Sequence, residues 1–150
     1  MKQGQALDHF DPQILQINPR DMLPAVGALI RRSFATVASQ FGLTPQNCPS
    51  HPAFLMDEAL SNSLYQHGVL CFGSFAEEKL IGFVAIWPKA RHTYELTRLC
   101  TAPEFRHLGI GRALLDAAAA HARSNGARNI EIAIIDEHEQ LKAWYVMAPE

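Results

Sequence analysis

Leu99-Cys100-Thr101-Ala102-Pro103-Glu104-Phe105-Arg106-His107-Leu108-Gly109-Ile110-Gly111-Arg112 is the stretch from which the architecture of this chain can be read. It leaves an alternating segment, crosses a short loop and enters an alanine-rich run that reads as a helix from Gly109 to Ser124, stopped by Asn125-Gly126. Strand, loop and helix in that order bring a helix N-terminus to the end of a strand. Such a terminus presents unpaired backbone N–H groups and about half a positive charge. A phosphate fits there with little further help. Gly109 and Gly111 remove the Cβ atoms that would block close approach.

Two common phosphate motifs do not account for the segment. A dinucleotide fingerprint needs a small residue three positions after its second glycine, and Leu114 stands there. A P-loop needs Gly-Lys-Ser/Thr, whereas Gly111 is followed by Arg112-Ala113.

Working outward from the loop, His92–Thr101 alternates. Tyr94, Leu96, Arg98 and Cys100 point one way; Glu95, Thr97, Leu99 and Thr101 point the other. Val69–Phe75 and Leu80–Trp87 read as a hairpin about the turn Ala76–Lys79, and the second strand, apolar on both faces, belongs in the middle of a sheet. Further upstream, Ile14–Ile17 reads as a short strand. Asp21 is a candidate N-cap for a helix from Met22 to Gln40, with Gly42 as its stop. Leu43–Pro52 reads as a loop, and Ala53–His67 as a second helix stopped by Gly68. Downstream, Asn129–Ile135 is a β-branched run written for burial, and Glu139–Met147 reads as a last helix. The order is strand, helix, helix, three strands, helix, strand, helix. That predicts an α/β fold with a mixed central sheet flanked by helices, all in one domain over 1–150.

Composition narrows the function classes. Hydrophobic residues make up 48% of the 150-residue chain and charged residues 19%, enough apolar material for one core. The net charge of -2, with no basic stripe, speaks against a nucleic-acid partner. The longest apolar stretch, Leu80–Trp87, falls far short of the ~20 residues that span a bilayer, so no membrane partner is expected. The first ten residues lack an apolar signal core. Cys48, Cys71 and Cys100 have neither metal-ligand nor redox spacing, which points to reduced thiols and a cytoplasmic location. No His-Glu-x-x-His and no Cys/His cluster is present, so no metal is expected.

The string Arg106-His107-Leu108-Gly109-Ile110-Gly111 resembles the acetyl-CoA signature of the GNAT acetyltransferase superfamily, Arg/Gln-x-x-Gly-x-Gly/Ala. Its flanks are similar too. Leu99–Asp116 resembles that family's strand, splayed bulge, Pro-Glu-aromatic turn and pyrophosphate helix. Ile132–Tyr145 resembles its next strand and the helix that carries a tyrosine. The resemblance implies a GNAT-like fold and acetyl-CoA as cosubstrate. It implies that the backbone of Leu99, Cys100 and Thr101 pairs with the pantetheine arm and acetyl group. The amides of Arg106, His107, Leu108, Gly109, Ile110, Gly111 and Arg112 would hold the pyrophosphate. His138 stands where many members have an asparagine that touches the coenzyme, and a histidine ring can donate there.

The reaction so implied is N-acetyl transfer to a primary amine of a small molecule or protein. An amine of pKa about 10.4 is mostly protonated at neutral pH, so a base is useful. Glu95, placed by alternation on the face of Leu99 and Thr101, is the candidate base, acting through water. Tyr145 is the candidate donor to the departing thiol, a transfer uphill by about 2 kcal/mol in unperturbed terms. In the resembling family Trp144-Tyr145 is followed by Gly-Phe and a closing strand pair, whereas here Val146-Met147-Ala148-Pro149-Glu150 follows. With that pair missing, one edge of Asn129–Ile135 would lack a partner, so self-association, as a homodimer or larger, is expected. The alternative reading is an acetyl-CoA-binding module with little or no turnover.

Overall fold

The computed structural model describes residues 11–49, 51–64, 68–135 and 140–146. They form a six-stranded sheet in chain order, β1 (Gln13–Ile17), β2 (Leu70–Ala76), β3 (Lys79–Ala90), β4 (Thr93–Thr101), β5 (Asn129–Ile135) and β6 (Gln140–Val146). All neighbours are antiparallel except β4 and β5, which run parallel across the helical connection. The sheet is mixed, as expected.

Helices cover both faces. On one lie α1 (Leu23–Gln40) and α2 (Asp57–Leu64); on the other lies α3 (Ile110–Ser124). β3 runs through the middle and is buried from Leu80 to Ile86, as its two-sided apolar sequence requires. Phe83 and Ala85 join Val26, Leu29 and Ile30 of α1; Val84 and Ile86 join Leu114, Ala118 and Ala122 of α3. The α3 residues recur every fourth position, which puts one apolar stripe on the sheet. Cutting Leu114, fully buried there, to alanine is worth about 2–5 kcal/mol. The helix closes at Gly126, whose φ of 89° suits glycine; Ala127 N–H reaches Ala122 O at 3.0 Å.

Three sequence expectations are corrected. First, Asp21 is no N-cap: Asn18 Oδ1 accepts the Arg20 N–H at 3.0 Å and caps a 3-10 turn, Pro19–Met22, from which α1 starts at Leu23. Second, Ala53–His67 is not one helix. His51 Nδ1 accepts the Ala53 N–H and caps a short turn, Pro52–Phe54. Leu55 is then extended, its carbonyl and the Asp57 carboxylate both drawn to Arg31 Nη1 at 3.0 and 2.8 Å, and α2 begins only at Asp57. Third, the last helix is a strand. β6 pairs with β5 from Asn129↔Val146 to Ile135↔Gln140, so β5 has a partner along its whole outer edge. The edge that was to drive self-association is filled from within the chain.

Candidate active site

The alternation predicted for β4 breaks in its middle. Ala85 of β3 pairs with Thr97 and Phe83 pairs with Cys100, so Arg98 and Leu99 together oppose the single residue Val84. That is a β-bulge, with Arg98 at a φ of 58°. Facing inverts across it. Leu96 and Leu99 both pack on the α3 side, whereas Cys100 packs on the α1 side. Glu95 therefore shares its face with Thr97 and Cys100, not with Leu99 and Thr101 as simple alternation has it.

The bulge coincides with a splay. β4 and β5 pair only from Thr93↔Asn129 to Leu96↔Ile132, although β4 continues to Thr101 and β5 to Ile135. Beyond Leu96 the two strands separate. A cavity of about 260 Å3 lies at this end of β4, bounded by Leu99, Cys100 and Thr101, by Ser33, Phe34 and Val37 of α1, and by Arg106. Strand groups that no longer pair with β5 are thereby available to an extended ligand.

Ser33 ties this corner together. Its Oγ donates to Thr101 O at 3.1 Å, and its own carbonyl accepts from Arg106 Nη2 at 2.8 Å and from Thr36 Oγ1 at 3.0 Å. The Arg106 guanidinium is thus spent on α1. What the loop offers a ligand is backbone. Ala102 N–H bonds Ile81 O at 2.8 Å, fixing the exit from β4, and a 3-10 turn over Pro103–Phe105 leads to Gly109, the α3 N-cap at a φ of 86°. The first α3 ladder bond runs from Ala113 N–H to Gly109 O, so the amides of Ile110, Gly111 and Arg112 precede the ladder. His107 and Leu108 are exposed beside them. Ile110 is buried and anchors the helix to the sheet. Arg112 is turned outward onto Asp116 at 3.0 Å.

Gly111 supplies the test for a coenzyme. A Cβ built there meets nothing nearer than Thr101 Oγ1 at 3.8 Å. Packing within the protein leaves that space open, at a helix N-terminus beside the stretch of β4 that no longer pairs with β5. The segment fits a phosphate-bearing ligand with an extended arm.

The electrostatics of the corner are those of a buried wall. Burial pushes the Cys100 thiol up to about 12, against smaller opposing effects from Ser33, Arg106 and Arg98, so Cys100 is a packing thiol and not a thiolate nucleophile. Burial, and then the charge of Arg98, hold His51 below its ordinary value. His51 is 1% exposed, with its ring against Phe34 and Phe54. The sequence places His51 in the loop Leu43–Pro52 without fixing its burial, and does not single out Ser33. The signal for Ser33 was there, as a polar residue set within the apolar stripe of α1.

The predicted site residues divide. Leu99, Cys100, Thr101, Arg106 and the loop through Arg112 converge on the splay. Glu95 stands just above it, beside the last paired residue, Leu96. Tyr145 is not brought to them. Its backbone lies on β6 opposite Ile130, in the row of Tyr94, toward the start of β4 and away from the bulge. A strand in place of a helix is the reason. The tyrosine ring and His138 lie outside the described residues. Among the described residues there is no group of three or more His, Cys, Asp or Glu that could hold a metal, and no helix is long and apolar enough to cross a membrane.

The strand that parts from its parallel neighbour at a bulge thus runs into a glycine-opened helix N-terminus. Comparison with family profiles supplies the class: the acetyltransferase (GNAT) family matches residues 38–147, and the chain belongs to that family. Solved structures with the same fold include the PaiA N-acetyltransferase from Thermoplasma acidophilum in complex with coenzyme A (24% identity, TM-score 0.69, 83% of this chain and 79% of that one). A GNAT family acetyltransferase from Brucella melitensis in complex with acetyl-CoA is similar over 95% of this chain and 92% of its own (18% identity, TM-score 0.64). The Escherichia coli ribosomal-protein-S18-alanine N-acetyltransferase is similar over 83% and 67% (18% identity, TM-score 0.62). No curated protein matches the sequence.

Proposed function

We propose that this chain is an N-acetyltransferase that moves an acetyl group from acetyl-CoA to a primary amine. The observation that carries the reading is the open space at Gly111, at the N-terminus of α3, next to the unpaired stretch of β4. Bound acetyl-CoA would supply an acetyl thioester. The amides from Arg106 to Arg112 would hold its pyrophosphate, favoured by the helix dipole. The stretch Leu99, Cys100 and Thr101, past the end of pairing with β5, would hold the extended arm, with the Thr101 carbonyl already engaged by Ser33, and N–H groups there would stabilise a developing oxyanion.

The inverted facing gives the acceptor a side. Glu95 lies on the α1 face with Cys100, so the amine would approach from the α1 side and lose its proton to Glu95 through water. With its thiol held protonated, Cys100 favours direct attack by the amine over a cysteine-linked intermediate. Free cysteines suit a cytoplasmic location. Two measurements test the proposal. Calorimetry with acetyl-CoA should show saturable binding. Release of free thiol, followed across a panel of small primary amines and peptide N-termini, should show amine-dependent turnover. Binding without release on any amine would favour the non-catalytic module instead, and absence of binding would remove both readings.

A further inference from the structure

Among the described histidines only His51 is buried. It lies in the loop between α1 and α2, and that loop is held in two parts. The first part is tied to itself: Thr44 N–H donates to Asn47 Oδ1 at 2.8 Å, and Asn47 Nδ2 donates to the Gly42 carbonyl at 3.1 Å. The second part is held to the body by the His51 ring, 6.0 Å from the ring of Phe34 on α1, and by Arg31, which takes the Leu55 carbonyl and the Asp57 carboxylate. Phe34 in turn lines the cavity at the end of β4.

The His51 ring is bonded through one nitrogen. Nδ1 accepts the Ala53 N–H at 3.1 Å, so the neutral ring carries its proton on Nε2. Nε2 is buried and meets no acceptor among the described residues. A second proton can go only to Nδ1, where a donor already points. Protonation therefore breaks the cap of the Pro52–Phe54 turn and puts a charge into a buried site. Among the described residues no carboxylate pairs with that charge. On β4, Arg98 acts on the ring with the same sign, and Glu95 makes no ion pair with it. On α1, Arg31 and Arg32 are engaged by Asp57 and Glu104. The loop itself adds the Cys48 thiol, and α2 opens with Asp57 and Glu58.

We propose that His51 is an acid-released latch: its neutral ring pins the 51–56 end of the loop against α1, and its protonation frees that end and uncovers one side of Phe34 at the cavity wall. The direction follows from the surroundings. Burial first, and Arg98 second, disfavour the charged ring, so the folded protein takes up this proton only below the ordinary histidine value of 6.5. The latch's contribution to stability is whole above that value and is lost as the pH falls from it through the lower value of the folded state.

Nitrogen-15 NMR of the histidine rings in the full chain tests this without any substrate, the His51 signals being assigned by their loss in His51→Asn. At neutral pH they should show a bare Nδ1 and a protonated Nε2. On acidification the ring should protonate with a midpoint below 6.5. Along the same curve the Ala53 amide should lose its protection from hydrogen exchange and the Phe34 ring signals should move. Asparagine can accept the Ala53 N–H and does not titrate, so in His51→Asn that protection should persist at acid pH. The folding constant of wild type relative to the variant should fall by up to about tenfold per pH unit below the ordinary value. A proton on Nδ1 at neutral pH, a midpoint at or above 6.5, or an Ala53 amide that does not follow the ring overturns the proposal. All three are read on the wild-type chain, so they decide the matter even where the variant does not fold.

Discussion

Gly82 of β3 lies against the first turns of α3 and Gly111 belongs to them, and the space around the two differs. A Cβ on Gly82 would sit 2.9 Å from both Ile110 and Leu114, inside the closed seam between β3 and the first turns of the helix. A Cβ on Gly111 would meet only Thr101, at ordinary contact distance. Packing accounts for the first glycine and not for the second. If the opening holds the coenzyme, stability and binding are separately breakable at the same end of α3.

Gly111→Asp should have the largest effect. The added carboxylate occupies the opening and repels phosphate, so acetyl-CoA affinity should fall at least about 100-fold, while the melting curve stays near wild type. Calorimetry and thermal unfolding on the same sample check both halves. Wild-type affinity would show that the space at Gly111 is not the phosphate cradle. Gly82→Ala should do the reverse: about 1–3 kcal/mol lost in denaturant unfolding through overpacking, with coenzyme affinity of the folded protein changed no more than a few fold. If instead its affinity collapses and its stability holds, the seam and the opening have been assigned the wrong way round. Ser33→Ala probes the join between the two regions. It deletes the bond to the Thr101 carbonyl and should cost about 1 kcal/mol in the same unfolding measurement. No loss would mean that Ser33 fills space without holding β4. Smallest of all should be Tyr145→Phe. Its row lies at the far end of β4, so kcat at saturating acetyl-CoA should stay within about twofold of wild type. A drop of about tenfold would place the tyrosine at the departing sulfur and contradict the β6 register.

Much of this was legible in the chain because it is written locally. The two-sided apolar run of β3 and the every-fourth-residue stripe of α3 each fix a place in the layers without reference to anything distant. The loop from Arg106 to Gly111 was legible by its resemblance to a family signature, since glycines at a helix N-terminus do not by themselves name a ligand. The errors fall where a remote group decides. Ala53–His67 reads as one helix until Arg31, far back on α1, draws off the Leu55 carbonyl. Gln140–Val146 is too short for periodicity to choose between helix and strand, and pairing with β5 makes the choice. Arg98 adopts a backbone conformation that a glycine would have advertised and an arginine conceals, so the turnover of facing in β4 left no mark in the pattern.

That bulge also changes how the site can be altered. Because it holds two residues against one, β4 is out of phase with itself: the half before Arg98 and the half after it present opposite parities to the same wall. Deleting Arg98 would leave Leu99 alone opposite Val84, with Cys100 still opposite Phe83 and Thr101 still opposite Gly82, so all three would keep their faces. The extra residue therefore does not choose which groups line the wall. What a single-codon loss here would remove is the kink itself, at the point where β4 parts from β5.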